Sequence, residues 1–393
     1  MKKKILFVMP HLKTGGITSS FVNLINAIKD DESLDIDLFI FDTDDVGMLP
    51  EGLNILPVKK LTRILTVKQK TIEKESMLLG LVRLMLGGIA KVIADHFAYS
   101  LVFMFEKKLK GYDAAISFSQ SGGGHSLYGG MNEFVLTNVE ADVKATVLHC
   151  DYAQAGLDSA YNAELYQLFD RVCAVSEGVK EAFLKCVPEC SDNVCVMHNC
   201  HDYKKMNELS AQDTVKYDRN VVNILTVGRL SEEKGHMRVI DSLYKLKEDG
   251  FRFCWHIVGD GAEAEKIKAI AEEYNMSRNI VLHGATDNPY RYYVNADLLL
   301  VPSYHEAAPM VFGEAEYFRL PVLATKTTST EEFVTDKNLG IVTENSEEGI
   351  YKALEYVSKN LQILRQIKNF DREIPDNSKA LAEFYRVLEG ENQ

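Results

Sequence analysis

The sequence has no apolar run long enough to span a membrane. A membrane-spanning helix needs roughly 18 apolar residues without charges, and no stretch of the chain reaches that length. The apolar run in MKKKILFVMPHL ends at Pro10 after about five residues, too short for the apolar core of a secretory signal peptide. We therefore expect a cytoplasmic protein in which Ile5–Met9 is a buried parallel strand that enters a glycine loop.

Positive charge is also scarce. The chain has 44 Lys and Arg against 57 Asp and Glu, which gives a formal net charge of −13. Nucleic-acid binding requires clustered Lys and Arg, so this balance argues against a nucleic-acid-binding protein. The 46% hydrophobic and 26% charged residues are ordinary for a globular protein. Because 393 residues exceed what one hydrophobic core usually serves, we predict two domains.

Closely paired cysteines are missing as well. Seven cysteines are an odd number, and without an export signal a disulfide framework is not expected. Four of them cluster near two histidines: Cys186, Cys190, Cys195, Cys200, His198 and His201. Their spacing lacks the C-x2-C pairs that are typical of zinc sites. Ordinary reduced cysteines are therefore the favoured interpretation, and a zinc site is the alternative.

Short β-branched apolar runs alternate with amphipathic helical stretches along the chain. The strands predicted in the first half are Ile5–Met9, Ile36–Phe41, Ala114–Phe118, Ala145–His149 and Arg171–Val175. Those predicted in the second half are Val222–Val227, Arg252–Val258, Ile280–His283, Leu298–Val301 and Val322–Ala324. The clearest helices between them are Met237–Glu248 and Ala262–Tyr274. This alternation predicts an α/β fold with parallel sheets that are covered on both faces.

The pattern restarts near residue 220, where NVVNILTVGRL echoes KKKILFVMPHL. Two doubly wound Rossmann-like domains are the economical interpretation, with a boundary in the polar stretch 202–220. We divide the chain into residues 1–202 and 203–393, and whether the last helix crosses back to the N-terminal domain stays open. A ligand is expected in a cleft between the domains, at the C-terminal ends of their strands.

One segment interrupts the alternation because it is both apolar and basic. Residues 59–110 hold eleven Lys or Arg and four acidic residues, against the negative charge of the whole chain. One interpretation is a helical surface that lies on an anionic membrane. The other is a helical pair that packs on the N-terminal sheet and has a solvated basic rim.

The motif TVGRLSEEKGH follows a predicted strand and opens a helix. Gly228 permits a sharp turn, and Arg229 and Lys234 place two cations at the C-terminal edge of the sheet. The planar guanidinium of arginine suits a diphosphate. The motif therefore indicates an anion site, and two solvated loop charges are the alternative.

The stretch SYHEAAPMVFGEAEYFRLPVLAT carries Glu306 and Glu314 on either side of a proline. Pro309 fits the first turn of a helix, which we predict to end near Arg319. The N-terminal amides and the dipole of that helix suit a phosphate or a sugar hydroxyl. The two carboxylates are interpreted as acceptors of paired hydroxyl groups rather than as a general acid and base.

These motifs in this order resemble glycosyltransferase family 4, whose members are retaining, metal-independent transferases of GT-B architecture. The resemblance covers nearly the whole chain and rests on GGI, HCDY, VSEGVKEAF, HNCHD, VGRLSEEKG, IVGDG and the glutamate-bearing stretch. Within the family the chain is most similar to enzymes that build bacterial capsular and other surface polysaccharides. The resemblance implies two Rossmann-like domains facing each other across a cleft. The N-terminal one would bind the acceptor and the C-terminal one the nucleotide-sugar donor.

The resemblance also implies roles for individual residues. Arg229 and Lys234 would hold the donor diphosphate, Glu306 would contact the transferred sugar, and His149 would face that sugar from the opposite domain. A strand-end histidine with a structural role is the alternative for His149. Glu314 would bind the ribose hydroxyls. The other implied donor-binding residues are Gly15, Gly16, Gly228, Thr286, Pro309, Met310, Val311 and Phe312.

The function implied is transfer of a hexosyl unit, from a donor that we expect to be UDP-linked, to a glycan or lipid-linked acceptor. The anomeric configuration would be retained, no cofactor or metal is expected, and the enzyme could work at the inner face of the cytoplasmic membrane. The glycine-dense stretch 117–130 would line the acceptor side or form a plain loop. Two alternatives remain, a sugar-nucleotide-binding partner subunit without turnover and a GT-B-type sugar-nucleotide epimerase.

Overall fold

The computed structural model describes residues 2–92, 94–120, 127 and 129–390. It divides the chain into two compact units, Met1–Cys200 with Asn377–Gln393, and His201–Asp376. Residues 377–393, which the division at 202/203 placed in the C-terminal domain, thus belong to the first unit. Half of the glycine-dense stretch 117–130, namely residues 121–126 and 128, lies outside the described residues. Within the described ranges, no helix is long and apolar enough to cross a membrane.

The first unit is built on a parallel sheet. Its strands are β1 Lys3–His11, β2 Leu34–Asp42, β3 Asn54–Ile55, β4 Leu109–Ser117, β5 Val139–Leu148, β6 Arg171–Ala174 and β7 Val194–Val196. Their order in the sheet is β3-β2-β1-β4-β5-β6-β7. All neighbouring pairs are parallel, with Phe7 on β1 between Leu38 on β2 and Ile116 on β4. The order reverses direction at β1, which is the signature of a doubly wound sheet.

The second unit has its own parallel sheet. Its strands are β8 Val222–Val227, β9 Phe253–Val258, β10 Ile280–Gly284, β11 Leu298–Val301, β12 Val322–Thr325 and β13 Gly340–Thr343. They are ordered β10-β9-β8-β11-β12-β13, so the direction of winding changes at β8. The predicted α/β class with two doubly wound Rossmann-like sheets is confirmed. The strands Val222–Val227 and Leu298–Val301 have the predicted bounds.

The helices cover the faces of these sheets. The N-terminal ones are α1 Gly16–Ile28, α2 Lys60–Arg63, α3 Gln69–Glu75, α4 Met77–Val92, α5 Asp95–Phe103, α6 Met131–Asn138, α7 Ala160–Gln167 and α8 Glu177–Cys186. They are followed by α9 Tyr203–Ser210, α10 Met237–Glu248, α11 Ala264–Glu273, α12 Tyr290–Tyr293, α13 Met310–Tyr317, α14 Thr330–Val334, α15 Glu347–Lys359, α16 Gln362–Lys368 and α17 Ser378–Glu389. The predicted helix Met237–Glu248 is α10 to the residue.

The cysteine-rich segment is built into the first sheet. Cys195 lies on β7, and its Sγ is 3.8 Å from Sγ of Cys173 on the neighbouring strand β6. Nδ1 of His198 is 2.9 Å from a carboxylate oxygen of Glu383. All seven cysteines are free thiols. Over the described ranges, no group of three or more His, Cys, Asp or Glu side chains is placed to hold a metal ion.

The last helix, α17, packs on the first unit. Phe384 is fully buried, and its ring stacks on Phe7 of the central strand β1 at a centroid distance of 6.2 Å. Glu383 accepts a hydrogen bond of 2.9 Å from the backbone N–H of His198 and also contacts its ring. The chain therefore returns to its N-terminal sheet after it has completed the second one.

We expect Phe384→Ala to destabilise the first unit by about 3–5 kcal/mol, because it removes a buried aromatic ring from a packed core. Trp255 is the only tryptophan, and it lies buried on β9 of the second unit. In urea, the circular dichroism transition should therefore move to lower concentration while the tryptophan fluorescence transition stays in place. Lys379→Ala, at an exposed position of the same helix, is the matched control. An unchanged circular dichroism midpoint for Phe384→Ala would contradict the packing of α17 on the first unit.

Candidate functional site

The loop after β8 approaches its neighbours through glycines at the C-terminal edge of the second sheet. The N–H of Gly228 donates to the carbonyl of Val258 at 3.0 Å, and that of Leu230 donates to Asp260 at 3.0 Å. Gly228 has a φ of 154° and Gly259 a φ of 145°, where side chains are strained. A Cβ on Gly259 would lie 1.8 Å from the carbonyl oxygen of Gly228. The two loops therefore support each other by direct backbone packing.

This loop brings Lys234 to Glu306. Lys234 ends a 3₁₀ turn, Glu232–Lys234, and its Nζ donates to Oε1 of Glu306 at 2.6 Å. The hydroxyl of Ser303 donates to the same oxygen at 2.7 Å. The Glu306 side chain is only 11% exposed, so its charge is balanced mainly by this lysine. The structure thus joins two predicted site residues from the ends of two adjacent strands, β8 and β11.

Arg229 lies on the same loop and is exposed. Its guanidinium makes no hydrogen bond or ion pair with any residue that the structure describes. A free cation beside the paired one leaves the C-terminal edge of this sheet able to attract an anion. The assignment of Arg229 and Lys234 to an anion site stays a prediction.

The loop that carries Glu306 is held by Arg238, which the sequence interpretation did not include. Nε of this buried arginine donates to the carbonyl of Pro302 at 2.9 Å. Its Nη2 reaches Oδ1 of Asn345 at 2.7 Å, and its guanidinium lies 4.1 Å from the centroid of the Tyr304 ring. The sequence held one signal for it: Arg238 falls on the stripe of α10 that continues through Ser242 and Leu246, both of which are buried.

Helix α13 begins one residue later than predicted. Pro309 directly precedes it with φ −67° and ψ 130°, and the helix ends at Tyr317 rather than near Arg319. Arg319 has a positive φ of 51°, which lies outside helical geometry. The N–H of Phe312 donates to the carbonyl of Pro309 at 3.1 Å, and the Phe312 ring is buried. Phe312 therefore offers neither its amide nor its ring to a ligand.

The backbone N–H groups of Met310 and Val311 have no hydrogen-bond partner among the described residues. They are the first two residues of α13, where the N–H groups of a helix are left unpaired and the helix dipole is positive. Both amides lie four and five residues after Glu306 in the same connection between β11 and α13. This connection therefore supplies two backbone donors beside a carboxylate.

Glu314 lies inside α13 in a different environment. Burial raises the pKa of Glu314 to about 7, although the hydrogen bond from the Tyr293 hydroxyl favours the charged form. Tyr293 ends α12 and is itself buried. The donated bond is 2.5 Å long. Tyr293 was not among the predicted site residues, because nothing in the run PYRYYVN distinguishes its hydroxyl from the neighbouring ones.

Thr286 follows β10, the edge strand of the second sheet. Its side chain is exposed, and its hydroxyl accepts a hydrogen bond of 3.2 Å from the N–H of Asn288. No hydrogen bond joins Thr286 to Lys234, Glu306 or Glu314 in the described structure. Its assignment to the nucleotide base therefore stays a prediction.

Three predicted residues belong to the first unit. Gly15 directly precedes α1, Gly16 begins it, and a Cβ on Gly16 would meet nothing within 4 Å. His149 follows β5, and its ring packs against Phe118 at a centroid distance of 5.1 Å. Burial lowers the pKa of His149 to about 4, so the imidazole is neutral at pH 7. Its buried Nε2 has no hydrogen-bond partner in the described part of the chain. Because β1 and β5 are parallel members of one sheet, these residues follow its C-terminal edge.

The raised pKa of Glu314 makes the stability of the second unit pH-dependent. The folded state holds the proton up to about pH 7, whereas the ordinary value is 4.5, so stability should fall as the pH rises between these values. We expect Glu314→Gln to be more stable than wild type by about 1–3 kcal/mol at pH 8, because each pKa unit corresponds to about 1.4 kcal/mol. The difference should vanish near pH 4.

The measurement is urea unfolding followed by Trp255 fluorescence at several pH values. Glu273→Gln, at an exposed position of α11, is the matched control and should unfold like wild type. If the difference in stability between Glu314→Gln and wild type were the same at pH 4 and pH 8, burial of the charged Glu314 carboxylate would carry no cost in stability.

Residues 208–373 match the family model described as glycosyl transferases group 1. The chain is 26% identical over 186 residues to the amylovoran biosynthesis glycosyltransferase AmsD of Erwinia amylovora, which covers 46% of this chain and 52% of that protein. It is 24% identical over 207 residues to an enzyme of Campylobacter jejuni, N-acetylgalactosamine-N,N'-diacetylbacillosaminyl-diphospho-undecaprenol 4-alpha-N-acetylgalactosaminyltransferase. That alignment covers 52% of this chain and 55% of the enzyme. The chain thus spans about half the length of these two relatives.

Solved structures match over the whole chain at low identity. The UDP complex of HepE from Anabaena superposes with a TM-score of 0.62 at 16% identity, over 99% of this chain and 98% of that one. WaaG, a glycosyltransferase involved in lipopolysaccharide biosynthesis, superposes with a TM-score of 0.61 at 16% identity, over 98% of each chain. At this identity the likeness concerns the fold, which agrees with the predicted GT-B architecture. The chain therefore carries a glycosyl transferases group 1 domain in residues 208–373, within a fold of two Rossmann-like sheets that glycosyltransferases of known structure share.

Proposed function

We propose that the protein is a glycosyltransferase that moves a hexosyl unit from a nucleoside-diphosphate sugar to a glycan or lipid-linked acceptor in the synthesis of a bacterial surface polysaccharide. The observation that carries this proposal is the Lys234–Glu306 pair with the free Arg229 beside it. A diphosphate needs fixed cations, and a sugar needs a carboxylate that accepts its hydroxyl groups. The loops after β8 and β11 offer both.

The diphosphate would bind to Arg229, Lys234 and the amides of Met310 and Val311. The Arg229 side chain makes no hydrogen bond or ion pair with the described residues, so it can turn to the ligand at little cost. Lys234 can keep its contact with Glu306 while another of its ammonium protons meets a phosphate oxygen, since an ammonium donates three hydrogen bonds. When the bond between the sugar and the diphosphate breaks, negative charge grows on the leaving oxygen. These donors would stabilise that charge without reorganisation.

Glu306 would accept hydroxyl groups of the transferred sugar, and Glu314 those of the ribose. Ser303 and Lys234 hold one oxygen of Glu306, which keeps the carboxylate oriented. Glu314 is raised in pKa by burial, so its charged form destabilises the unit in the absence of a ligand. Ribose hydroxyl groups would donate to this carboxylate and favour its charged form. A costly carboxylate of this kind suits a binding role better than a structural one.

The first unit would receive the acceptor. Gly16 leaves open space at the start of α1, where Gly15 precedes it, and Nε2 of the neutral His149, which has no partner among the described residues, could bond a sugar hydroxyl. The UDP-linked donor is proposed from the likeness to the UDP complex of HepE. A polyprenyl-diphosphate-linked acceptor is suggested by the name of the Campylobacter relative. Retention of configuration is proposed from the resemblance to glycosyltransferase family 4.

We expect Arg229→Ala and Lys234→Ala each to lower the rate of sugar transfer by at least about 100-fold, or about 3 kcal/mol of transition-state stabilisation, because each removes a fixed cation from the leaving diphosphate. The assay measures release of the nucleoside diphosphate with a saturating donor. Arg278→Ala and Lys268→Ala remove exposed cations elsewhere in the second unit and are the matched controls. Wild-type turnover in both site variants would rule out the diphosphate assignment.

The proposed function itself is tested by incubation with UDP-, GDP- and ADP-linked sugars. We expect slow release of one nucleoside diphosphate without acceptor and faster release with a glycan or lipid-linked acceptor, unchanged by EDTA because the cations and amides supply the positive charge that a metal would. The anomeric configuration of the product, read by NMR, should match that of the donor. An isomerised but intact nucleotide sugar would identify an epimerase instead. Binding without any turnover would identify a partner subunit.

A further inference from the structure

Helix α4 presents an apolar face to solvent. Its exposed large side chains follow helical spacing, i, i+1, i+4, i+7, i+8 and i+15, and therefore share one side of the helix. They are Met77, Leu78, Leu81, Leu84, Met85 and Val92. Met77 is 79% exposed and Val92 is 84% exposed. The opposite side is apolar too, with Leu86 and Ala90 buried. A surface helix normally keeps its outer side polar. Helix α4 is instead apolar on its outer side as well as on its buried side.

Helix α5 repeats the arrangement. Phe97, Leu101, Met104 and Phe105 are exposed at positions i, i+4, i+7 and i+8 along α5 and the turn that follows it. Met104 is 70% exposed. The inward side of α5 carries the buried Tyr99, Val102 and Phe103. Because α4 and α5 pack against each other, their outer faces bring ten large apolar side chains to the surface of one region. Apolar surface concentrated in this way marks an interaction site.

The segment that carries this apolar surface also carries unpaired positive charge. Six exposed lysines of the segment make no ion pair or hydrogen bond through their side chains to residues that the structure describes: Lys60, Lys68, Lys70, Lys74, Lys91 and Lys107. The other cations are engaged internally. Arg63, for example, pairs with Asp42, Asp44 and Glu75, and Arg83 donates to the carbonyl of Val67. The basic surplus of residues 59–110 is therefore directed to solvent, in a chain whose net charge is −13.

The segment is attached to the C-terminal edge of the first sheet. Asp42, the last residue of β2, pairs with Arg63 at 3.2 Å and with Lys13 at 3.3 Å, two residues before Gly15. A Cβ on Gly130, at the end of the loop that follows β4, would touch the rings of Tyr99 and Phe103 on α5. The apolar and basic surface thus adjoins the edge that holds Gly15, Gly16 and His149.

We propose that the outer faces of α4 and α5 rest on the surface of an anionic lipid bilayer. Lipid acyl chains would cover the exposed apolar side chains, and anionic headgroups would meet the unpaired lysines. A symmetric contact with a second copy of the chain would bring the unpaired lysines of the two copies together, whereas anionic headgroups would neutralise them, so charge favours an anionic bilayer. With 16 residues, α4 is too short to cross a bilayer, so the helices lie in the interface rather than span it. The inference does not depend on the proposed transfer reaction.

The test is co-sedimentation of the full chain with vesicles, without any sugar nucleotide. We expect binding to phosphatidylglycerol–phosphatidylcholine vesicles that weakens with added salt, and no binding to pure phosphatidylcholine vesicles. The apolar triple variant Leu81→Gln, Leu84→Gln and Met85→Gln and the basic triple variant Lys68→Gln, Lys70→Gln and Lys74→Gln should each lower the partition coefficient at least about tenfold. All six substituted residues are exposed, so neither triple variant alters the core. The thermal unfolding midpoint should therefore stay near that of wild type.

Matched controls alter exposed residues elsewhere. Leu168→Gln, Tyr356→Gln and Leu361→Gln remove three exposed apolar side chains, and Lys216→Gln, Lys266→Gln and Lys268→Gln remove three exposed lysines. Both control triples should bind anionic vesicles like wild type. Equal binding by all variants, or no binding by wild type, would overturn the proposal. Self-association of wild type that only the apolar triple abolishes would overturn it too, and would identify the surface as a contact between copies of the chain.

Discussion

The ion pair between Lys234 and Glu306 links the two loops on which the candidate site depends. One loop leaves β8 and the other leaves β11, and these strands are neighbours at the centre of the second sheet. Gly228 and Gly259 let the backbone of the first loop pack closely, and Arg238 holds the second loop through Pro302. The lysine is thereby kept at the sheet edge, where an anionic ligand can share it with the carboxylate. Arg229 lies on the same loop as Lys234 and stays exposed.

Each unit buries a polar group at a cost in stability. In the second unit Glu314 is buried with one hydroxyl partner, and in the first unit the buried Nε2 of His149 has no hydrogen-bond partner among the described residues. Each of these groups costs free energy while no ligand is bound, because buried polar groups are normally satisfied. A hydroxyl-rich ligand on either unit would satisfy the group that this unit buries. The cores around Trp255 and Phe7 hold the sheets rigid enough to keep such groups in place.

The exposed apolar faces of α4 and α5 set a second requirement that the candidate site does not explain. Ten large apolar side chains in water do not stabilise a monomer. The unpaired lysines of the same segment favour a negatively charged surface as the one that covers these side chains. An enzyme that acts on a lipid-linked acceptor would benefit from resting on the bilayer that holds it. The attachment of this segment through Arg63 and Asp42 to the glycine-loop edge of the first sheet is consistent with such a position.

Most of the fold and part of the candidate site follow from the sequence alone. Short β-branched apolar runs identified the central strands, since buried parallel strands are apolar on both faces. The motifs around Arg229, Lys234 and Glu306 marked the loops. Short or half-exposed elements such as β3 and β13 carry too little pattern to be recognised. Tertiary structure decided three things: that α17 packs on Phe7, that burial raises the pKa of Glu314 despite the hydrogen bond from Tyr293, and that α4 turns one of its two apolar faces outward. The physical reason is common to all three. Local sequence sets which face of an element is apolar. Whether another element covers that face depends on residues far away in the chain.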